Sequence, residues 1–165
     1  MPASIPPRTL LVKNSCQPVP YRLAKVRAGR CRWQKSGRLK RCLPRQTVGQ
    51  DFPVAVRLGG CDYMPSGSSL ADAAAAGKLL ERAGIDLLDL SGGLHVYQRP
   101  GHNEPGWFAD MSEAVKGQVN IPVILTGGVR TPSQAEALLE AGAADLIGVG
   151  RAMLRNPNWG AEPYG

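Results

Sequence analysis

The stretch PVILTGGVRTPSQAEALLEAGAADLIGVGRAML, residues 122–154, contains two strand-and-helix units in succession. Between its β-rich runs PVILT and DLIGV, Thr131, Pro132 and Gln134 form the start signal of a helix, with an N-cap, a proline at the first helical position and a capping-box partner. Gly142 then supplies the left-handed stop. Strands that alternate with helices in this way predict a parallel sheet.

Two similar units precede this stretch. The first has a strand at Val54–Leu58 and a helix that Ser69 caps, with Asp72 at the capping-box position. The second has a strand at Asp86–Leu90 and a helix from about residue 107 to 116. Four βα units, with apolar strands buried on both faces, predict a partial (β/α)₈ TIM barrel. A complete barrel needs about 250 residues, and the whole chain has 165.

The net charge of +7 is distributed unevenly along the chain. Residues 1–50 contain twelve Lys or Arg and no Asp or Glu, and all thirteen acidic residues follow. The first segment also lacks helical or alternating apolar spacing. We therefore predict a basic, irregular segment at residues 1–46 and a barrel-type part at residues 47–165.

Three interpretations of the basic segment remain open. Its Lys and Arg residues can bind nucleic-acid phosphates, with Trp33 stacked on a base, but nothing fixes the charges to one surface, which disfavours this partner. A transit peptide is also Arg-rich, but early prolines disfavour its amphipathic helix. A shifted reading frame of GC-rich DNA also gives abundant Arg, Pro, Cys and Trp without acidic residues.

Other classes of protein lack support. No apolar run reaches the roughly 20 residues that cross a bilayer, and the first residues, MPASIPPRTLLV, contain no apolar signal core. The four cysteines form no CxxC pair, and both histidines lie far from three of them, so we predict no metal site. We expect a cytoplasmic protein with reduced thiols and no membrane contact.

Glycine-rich turns follow the last two predicted strands. Gly127 and Gly128 end one strand, and Gly150 and Arg151 end the next. Glycine lets backbone N–H groups approach phosphate oxygens, the start of the following helix offers free donors, and an arginine can add a charge-assisted bidentate bond. Barrels often bind phosphate at the loops after strands seven and eight. We predict a phosphate site here; the alternative is that the glycines only form tight turns.

Arg57 lies inside an apolar strand, where an unpaired charge is costly to bury. It can reach into the barrel mouth and stabilise the pyrimidine edge of a reduced flavin, which we favour, or it can form an ion pair with Asp89. His95 and Tyr97 lie in the long loop after the second strand. They can bind substrate or donate a proton, or they can simply decorate the loop, so the catalytic residues remain unknown.

Three runs between Thr47 and Trp159 carry a family resemblance: TVGQDFPVAVRLGG, AGIDLLDLSGG and IPVILTGGVRTPSQAEALLEAGAADLIGVGRAMLRNPNW. In order and spacing they resemble the C-terminal half of the Old Yellow Enzyme family of NADH:flavin oxidoreductases. The resemblance implies an FMN-binding barrel, of which this chain holds strands 5 to 8. It also implies hydride transfer from NAD(P)H through FMN to a small-molecule substrate, an activated alkene such as an enone.

By this resemblance Arg57 matches an arginine beside the N1 and O2 edge of the flavin. The residues that match the FMN phosphate site are Gly127, Gly128, Gly150 and Arg151. The family's substrate-anchoring His-His or His-Asn pair and its proton-donating tyrosine belong to the N-terminal half, and residues 1–46 contain no counterpart. We therefore expect a truncated or frame-disrupted oxidoreductase that is inactive alone and that can self-associate through open barrel edges.

Two alternatives remain. A flavin barrel of the tRNA-dihydrouridine synthase type has a similar arrangement of GG and GR turns, although the SGG after the second strand fits the first family better. A non-catalytic half-barrel with a basic RNA-binding arm is the other alternative. Salt-dependent RNA affinity of the basic segment would distinguish it from both flavin proteins.

Overall fold

The computed structural model describes residues 43–93 and 97–161. A short helix leads into four βα units, and a turn of 3₁₀ helix at Trp159–Ala161 follows them. The elements are α1 (Leu43–Val48), β1 (Ala55–Cys61), α2 (Leu70–Arg82), β2 (Leu87–Gly92), α3 (Ala109–Lys116), β3 (Val123–Thr126), α4 (Pro132–Glu140), β4 (Leu146–Gly148) and α5 (Arg151–Arg155). Within the described ranges, no helix has both the length and the apolar character that crossing a membrane requires.

The four strands form one parallel sheet in the order β1-β2-β3-β4. Strands that are consecutive in the chain are therefore neighbours in space, as in a (β/α)₈ barrel. One row across the sheet contains Arg57, Asp89, Ile124 and Leu146. In the described part of the chain, β1 and β4 are edge strands and the sheet does not close. The predicted class, a partial barrel of four βα units, is confirmed.

The core lies on the face of the sheet that the helices cover. Helix α2 packs against β1 and α3, and α3 packs against β3. The fully buried strand residues on this face include Leu88, Leu90, Val123, Leu125 and Ile147. On the opposite face, Ala55, Arg57 and Gly59 of β1 are exposed. The prediction of strands buried on both faces is therefore wrong for β1, because only one layer of helices covers the described sheet.

Local signals set the helix ends as predicted. Ser69 and Asp72 form a complete capping box at α2, and Thr131 and Gln134 form another at α4. Hydrogen bonds from the Ser69 side chain and backbone hold the pKa of Asp72 below its usual value. Gly142 follows α4 with φ +74°, in the left-handed region that favours glycine.

The first two strands extend further than the sequence predicts. β1 continues to Cys61 and β2 to Gly92 because Gly59 pairs with Ser91 and Cys61 pairs with Gly92. A Cβ at Gly59 would lie 3.2 Å from the Gly92 carbonyl oxygen, so the backbones approach closely here. Helix α3, predicted from about residue 107, begins at Ala109.

The folded part begins before the predicted boundary at Thr47. Arg45, assigned above to the irregular basic segment, lies in α1 and is 7% exposed. Its guanidinium forms an ion pair with Asp86 and donates hydrogen bonds to four backbone carbonyls, those of Gly49, Gln50, Phe52 and Gly84. Asp86 also accepts a hydrogen bond from the backbone of Val54, at 2.7 Å. Arg45 thus fastens α1 to the amino ends of β1 and β2. The rest of the basic segment lies outside the described residues.

Candidate phosphate-binding site

The two glycine-rich turns lie side by side. Thr126, the last residue of β3, pairs with Gly148, the last residue of β4. Because parallel strands end at the same edge of a sheet, the Gly127–Gly128 turn and the Gly150–Arg151 turn leave that edge together. The structure therefore brings together four of the five residues predicted to bind cofactor.

Trp107 lies against the first turn and requires both of its glycines. Gly127 has φ +121° and Gly128 has φ +72°. A Cβ at Gly127 would lie 2.6 Å from Trp107 Nε1, and a Cβ at Gly128 would lie 2.6 Å from two carbons of the same ring. The Gly106 N–H also donates a 2.6 Å hydrogen bond to the Gly127 carbonyl. Side-chain size and backbone conformation therefore both demand glycine here, in agreement with the tight-turn alternative.

The same tryptophan contacts the second turn. The Arg151 guanidinium carbon lies over the Trp107 ring, 5.5 Å from its centroid, which is within cation–π range. Arg151 remains exposed, whereas Trp107 is 4% exposed. Trp107 therefore joins the two turns. The sequence gives no signal of this role, because a tryptophan at the start of a predicted helix shows no local pattern that indicates a contact with later loops.

The surroundings of these turns fit a phosphate group. Gly150 has ordinary negative φ, and a Cβ built on it meets no atom within 4 Å, so open space adjoins the second turn. The exposed Arg151 guanidinium borders the same turn and supplies a cation. Buried Trp107 Nε1 has no hydrogen-bond acceptor among the described residues. An open space beside backbone donors and a cation is what the phosphate of FMN needs.

Arg57, the fifth predicted residue, lies apart from the turns. Its Nε donates to Asp89 Oδ2 at 2.8 Å, and its Nη2 donates to Asp89 Oδ1 at 3.3 Å. The ion pair, which was the structural alternative, is therefore present. The guanidinium side chain is nevertheless 54% exposed on the uncovered face of the sheet, two strands from β3. Its role beside a flavin ring stays a prediction.

An aromatic layer connects the loops after β1 and β2. Tyr63 stacks on Phe108 at 5.9 Å, and Phe108 meets Trp107 edge-on at 6.2 Å. The Tyr63 hydroxyl donates to Asp110 Oδ1 at 2.9 Å, and Arg99 pairs with the other oxygen of Asp110 at 3.2 Å. Tyr63 has φ +50°, unusual for a bulky residue. Burial, followed by the hydrogen bond to Asp110, raises the pKa of Tyr63 well above its ordinary value of 10.0.

This raised pKa predicts a loss of stability in alkaline solution. Above about pH 10 the unfolded chain releases the Tyr63 proton while the folded chain retains it, so the unfolded state binds fewer protons and the free energy of unfolding falls as the pH rises. We expect a steeper loss between pH 9.5 and about 11 in the wild type than in Tyr63→Phe, measured by urea denaturation. Parallel curves for the two proteins would contradict the assignment.

Of the two other candidates after β2, the structure describes only Tyr97. His95 lies outside the described residues, and Tyr97 is 94% exposed. His102 bonds to the Glu104 carboxylate, and hydrogen bonds from backbone N–H groups and from His102 hold the pKa of Glu104 below its usual value. In residues 43–93 and 97–161, no three His, Cys, Asp or Glu side chains lie close enough to bind a metal.

A parallel sheet of four βα units, with two glycine-rich turns at the carboxyl ends of neighbouring strands, is the architecture of part of a (β/α)₈ barrel. The chain belongs to the NADH:flavin oxidoreductase / NADH oxidase family, whose model matches residues 44–162. The match includes Arg45 and so begins before the boundary predicted at Thr47.

Curated relatives are similar over the same region. The NADH oxidase of Thermoanaerobacter brockii is 34% identical over 119 residues, which are 70% of this chain and 18% of the relative. The NADPH dehydrogenase of Halalkalibacterium halodurans is 38% identical over 117 residues, 71% of this chain and 34% of the relative. The chain thus spans about a fifth to a third of the length of these relatives.

Solved structures show the same fold. A 2-naphthoyl-CoA reductase in complex with 2-naphthoyl-CoA matches with a TM-score of 0.60 and 25% identity, over 68% of this chain and 18% of that one. The 6-hydroxypseudooxynicotine amine oxidase of Pseudomonas geniculata N1 matches with a TM-score of 0.53 and 22% identity, over 68% of this chain and 17% of that one. The described strands thus match part of larger enzymes.

Proposed function

We propose that this chain provides the FMN phosphate site of an NAD(P)H-dependent oxidoreductase. The observation that carries the proposal is the meeting of the Gly127–Gly128 turn and the Gly150–Arg151 turn beside open space at the carboxyl ends of β3 and β4. When bound, FMN supplies the redox chemistry, which takes a hydride from NAD(P)H and delivers it to an activated alkene. The residues of this chain bind and orient that cofactor.

The two turns divide the work of phosphate binding. Their backbone N–H groups offer hydrogen bonds, and Gly150 leaves room for phosphate oxygens because it has no Cβ. Arg151 adds a guanidinium that donates hydrogen bonds and neutralises part of the phosphate charge. Membership of the flavin oxidoreductase family supports this division.

In this proposal Arg57 lies beside the flavin ring, at the opposite end of the cofactor from the phosphate. Asp89 holds its guanidinium through two hydrogen bonds on the uncovered face of the sheet, and over half of the side chain remains exposed. It can therefore face an electron-rich flavin ring while it keeps its carboxylate partner. The pair orients the guanidinium without consuming all five of its donors.

Flavin titrations test this assignment. We expect the wild-type chain to bind FMN more tightly than riboflavin, which lacks the phosphate, in a flavin-fluorescence titration. Arg151→Ala should weaken FMN binding by about tenfold, since a hydrogen bond to a charged group contributes about 1.5 kcal/mol or more, and should leave riboflavin binding unchanged. Arg57→Leu should weaken the binding of FMN and riboflavin alike, because Arg57 faces the flavin ring that both ligands contain.

Arg155→Ala is the matched control, since Arg155 is an exposed arginine in the last turn of the same short helix. It should leave both affinities unchanged. Equal affinity of the wild type for FMN and riboflavin would refute the phosphate site. An equal loss of FMN affinity in the Arg151 and Arg155 variants would show that Arg151 acts only through its general positive charge and not through a specific contact.

The proposal extends to partners and location. Two edge strands in the described sheet and an exposed β1 face favour self-association or pairing with a chain that carries the other barrel strands. We also propose a cytoplasmic location and an activated alkene as the substrate. The groups that anchor and protonate such a substrate belong, by the family resemblance, to the other half of the barrel. The chain alone is therefore expected to show no turnover of an enone with NADPH.

A further inference from the structure

We propose that Trp107 is a positioning residue of the phosphate site, which holds both Arg151 and the Gly127–Gly128 turn in their binding geometry. The inference rests on the proposed function and extends it to a residue in the loop after β2. Its basis is that one buried ring contacts both turns, as the cation–π distance and the close approach to both glycines indicate.

The position of Trp107 is itself fixed. The ring packs edge-on against Phe108, which stacks on Tyr63, and the preceding residue, Gly106, is hydrogen-bonded to Gly127. Trp107 is 4% exposed. A buried ring held from several sides is a rigid support, whereas the Arg151 side chain is exposed and rich in rotamers.

The indole N–H indicates what holds the ring. Trp107 Nε1 has no acceptor among the described residues, and burying an unpaired donor costs free energy. Trp159, the other described tryptophan, instead donates to the Arg130 carbonyl at 2.6 Å. The Trp107 ring therefore contributes through its contacts with the turn and the guanidinium. Tryptophan also offers the strongest cation–π surface of the aromatic residues.

Support of this kind lowers the cost of binding. A free arginine loses rotamer entropy when it binds phosphate, whereas one already held over a ring loses less. The same ring fixes the backbone of the glycine turn, so its N–H groups keep their direction. We therefore expect Trp107 to affect the preference for FMN over riboflavin, although it lies beneath both turns.

The test compares substitutions of the two described tryptophans by flavin titration and thermal unfolding of the full chain. Trp107→Leu removes the ring. It should lower the ratio of FMN affinity to riboflavin affinity by about tenfold and so remove most of the preference. Trp107→Phe keeps a ring, removes the unpaired donor and should retain most of the preference. Trp159→Phe is the control, which should lower thermal stability and leave the preference unchanged.

A double mutant shows whether Trp107 acts through Arg151. In the Arg151→Ala background, Trp107→Leu should change the FMN preference less than it does in the wild type, because only its effect on the Gly127–Gly128 turn remains. Fully additive losses, or a Phe variant as impaired as the Leu variant, would overturn the positioning role. A wild-type preference that Trp107→Leu leaves intact would refute this inference alone. A wild-type chain without any preference would refute the proposed function as well.

Discussion

Replacing Arg45 with alanine is expected to lower the free energy of unfolding by about 2–4 kcal/mol. Arg45 is 7% exposed, and its guanidinium donates to four backbone carbonyls besides Asp86. Its loss leaves those carbonyls without their donor and removes the tie between α1 and the strands. The expected loss is smaller than for a fully buried ion pair because the Asp86 side chain is 48% exposed and can be hydrated.

Urea denaturation monitored by circular dichroism measures this loss. Arg45→Lys keeps the charge but not the planar set of five donors, so we expect a smaller but clear destabilisation. Arg155→Ala is the control for loss of an arginine at an exposed position, and it should change stability by about 0.5 kcal/mol or less. An Arg45→Ala protein as stable as the Arg155 variant would contradict the structural role of Arg45.

The second large effect is expected for Gly128→Ala, at about 2–4 kcal/mol of lost stability. Two costs combine at this position. An L residue at φ +72° is strained, and the new Cβ would lie 2.6 Å from two Trp107 ring carbons and 3.1 Å from the Glu104 carbonyl oxygen. The packed ring cannot move aside easily, because Phe108 lies against it.

Substitutions of two other glycines distinguish the cost of a positive φ from the cost of the clash with Trp107. Gly142 has φ +74° and no atom within 4 Å of a built Cβ, so Gly142→Ala should lose only the backbone term, about 1–2 kcal/mol. Gly150 has negative φ and open space, so Gly150→Ala should retain stability and lose FMN affinity instead. A Gly128→Ala protein no less stable than Gly142→Ala would show that Trp107 does not restrict the turn.

Features determined by neighbouring residues could be predicted from the sequence. The capping boxes of α2 and α4 each depend on residues three apart, and Gly142 ends its helix locally. The alternation of strands and helices then implied a parallel sheet, whose order placed the two glycine turns together. The position of four of the five predicted site residues thus follows from local patterns and topology.

Features that depend on distant contacts could not be predicted in the same way. The hydrogen bond from Arg45 to Gly84 joins residues 39 positions apart, so composition assigned Arg45 to the basic segment. The approach of Trp107 to both turns depends on the path of a loop. For Arg57, the sequence left two roles open, and the register that places it opposite Asp89 produced the ion pair.

Binding of the FMN phosphate by backbone groups of the two turns can be tested at the glycines themselves. The most direct measurement is an NMR titration of the chain labelled with ¹⁵N-glycine, with FMN and riboflavin added in parallel. We expect FMN to shift the resonances of Gly127, Gly128 and Gly150 and riboflavin to leave them unchanged. Gly84 and Gly142, which precede β2 and β4, should keep their resonances with both flavins. Equal shifts with both flavins, or phosphate-dependent shifts at Gly84 and Gly142 instead, would contradict it.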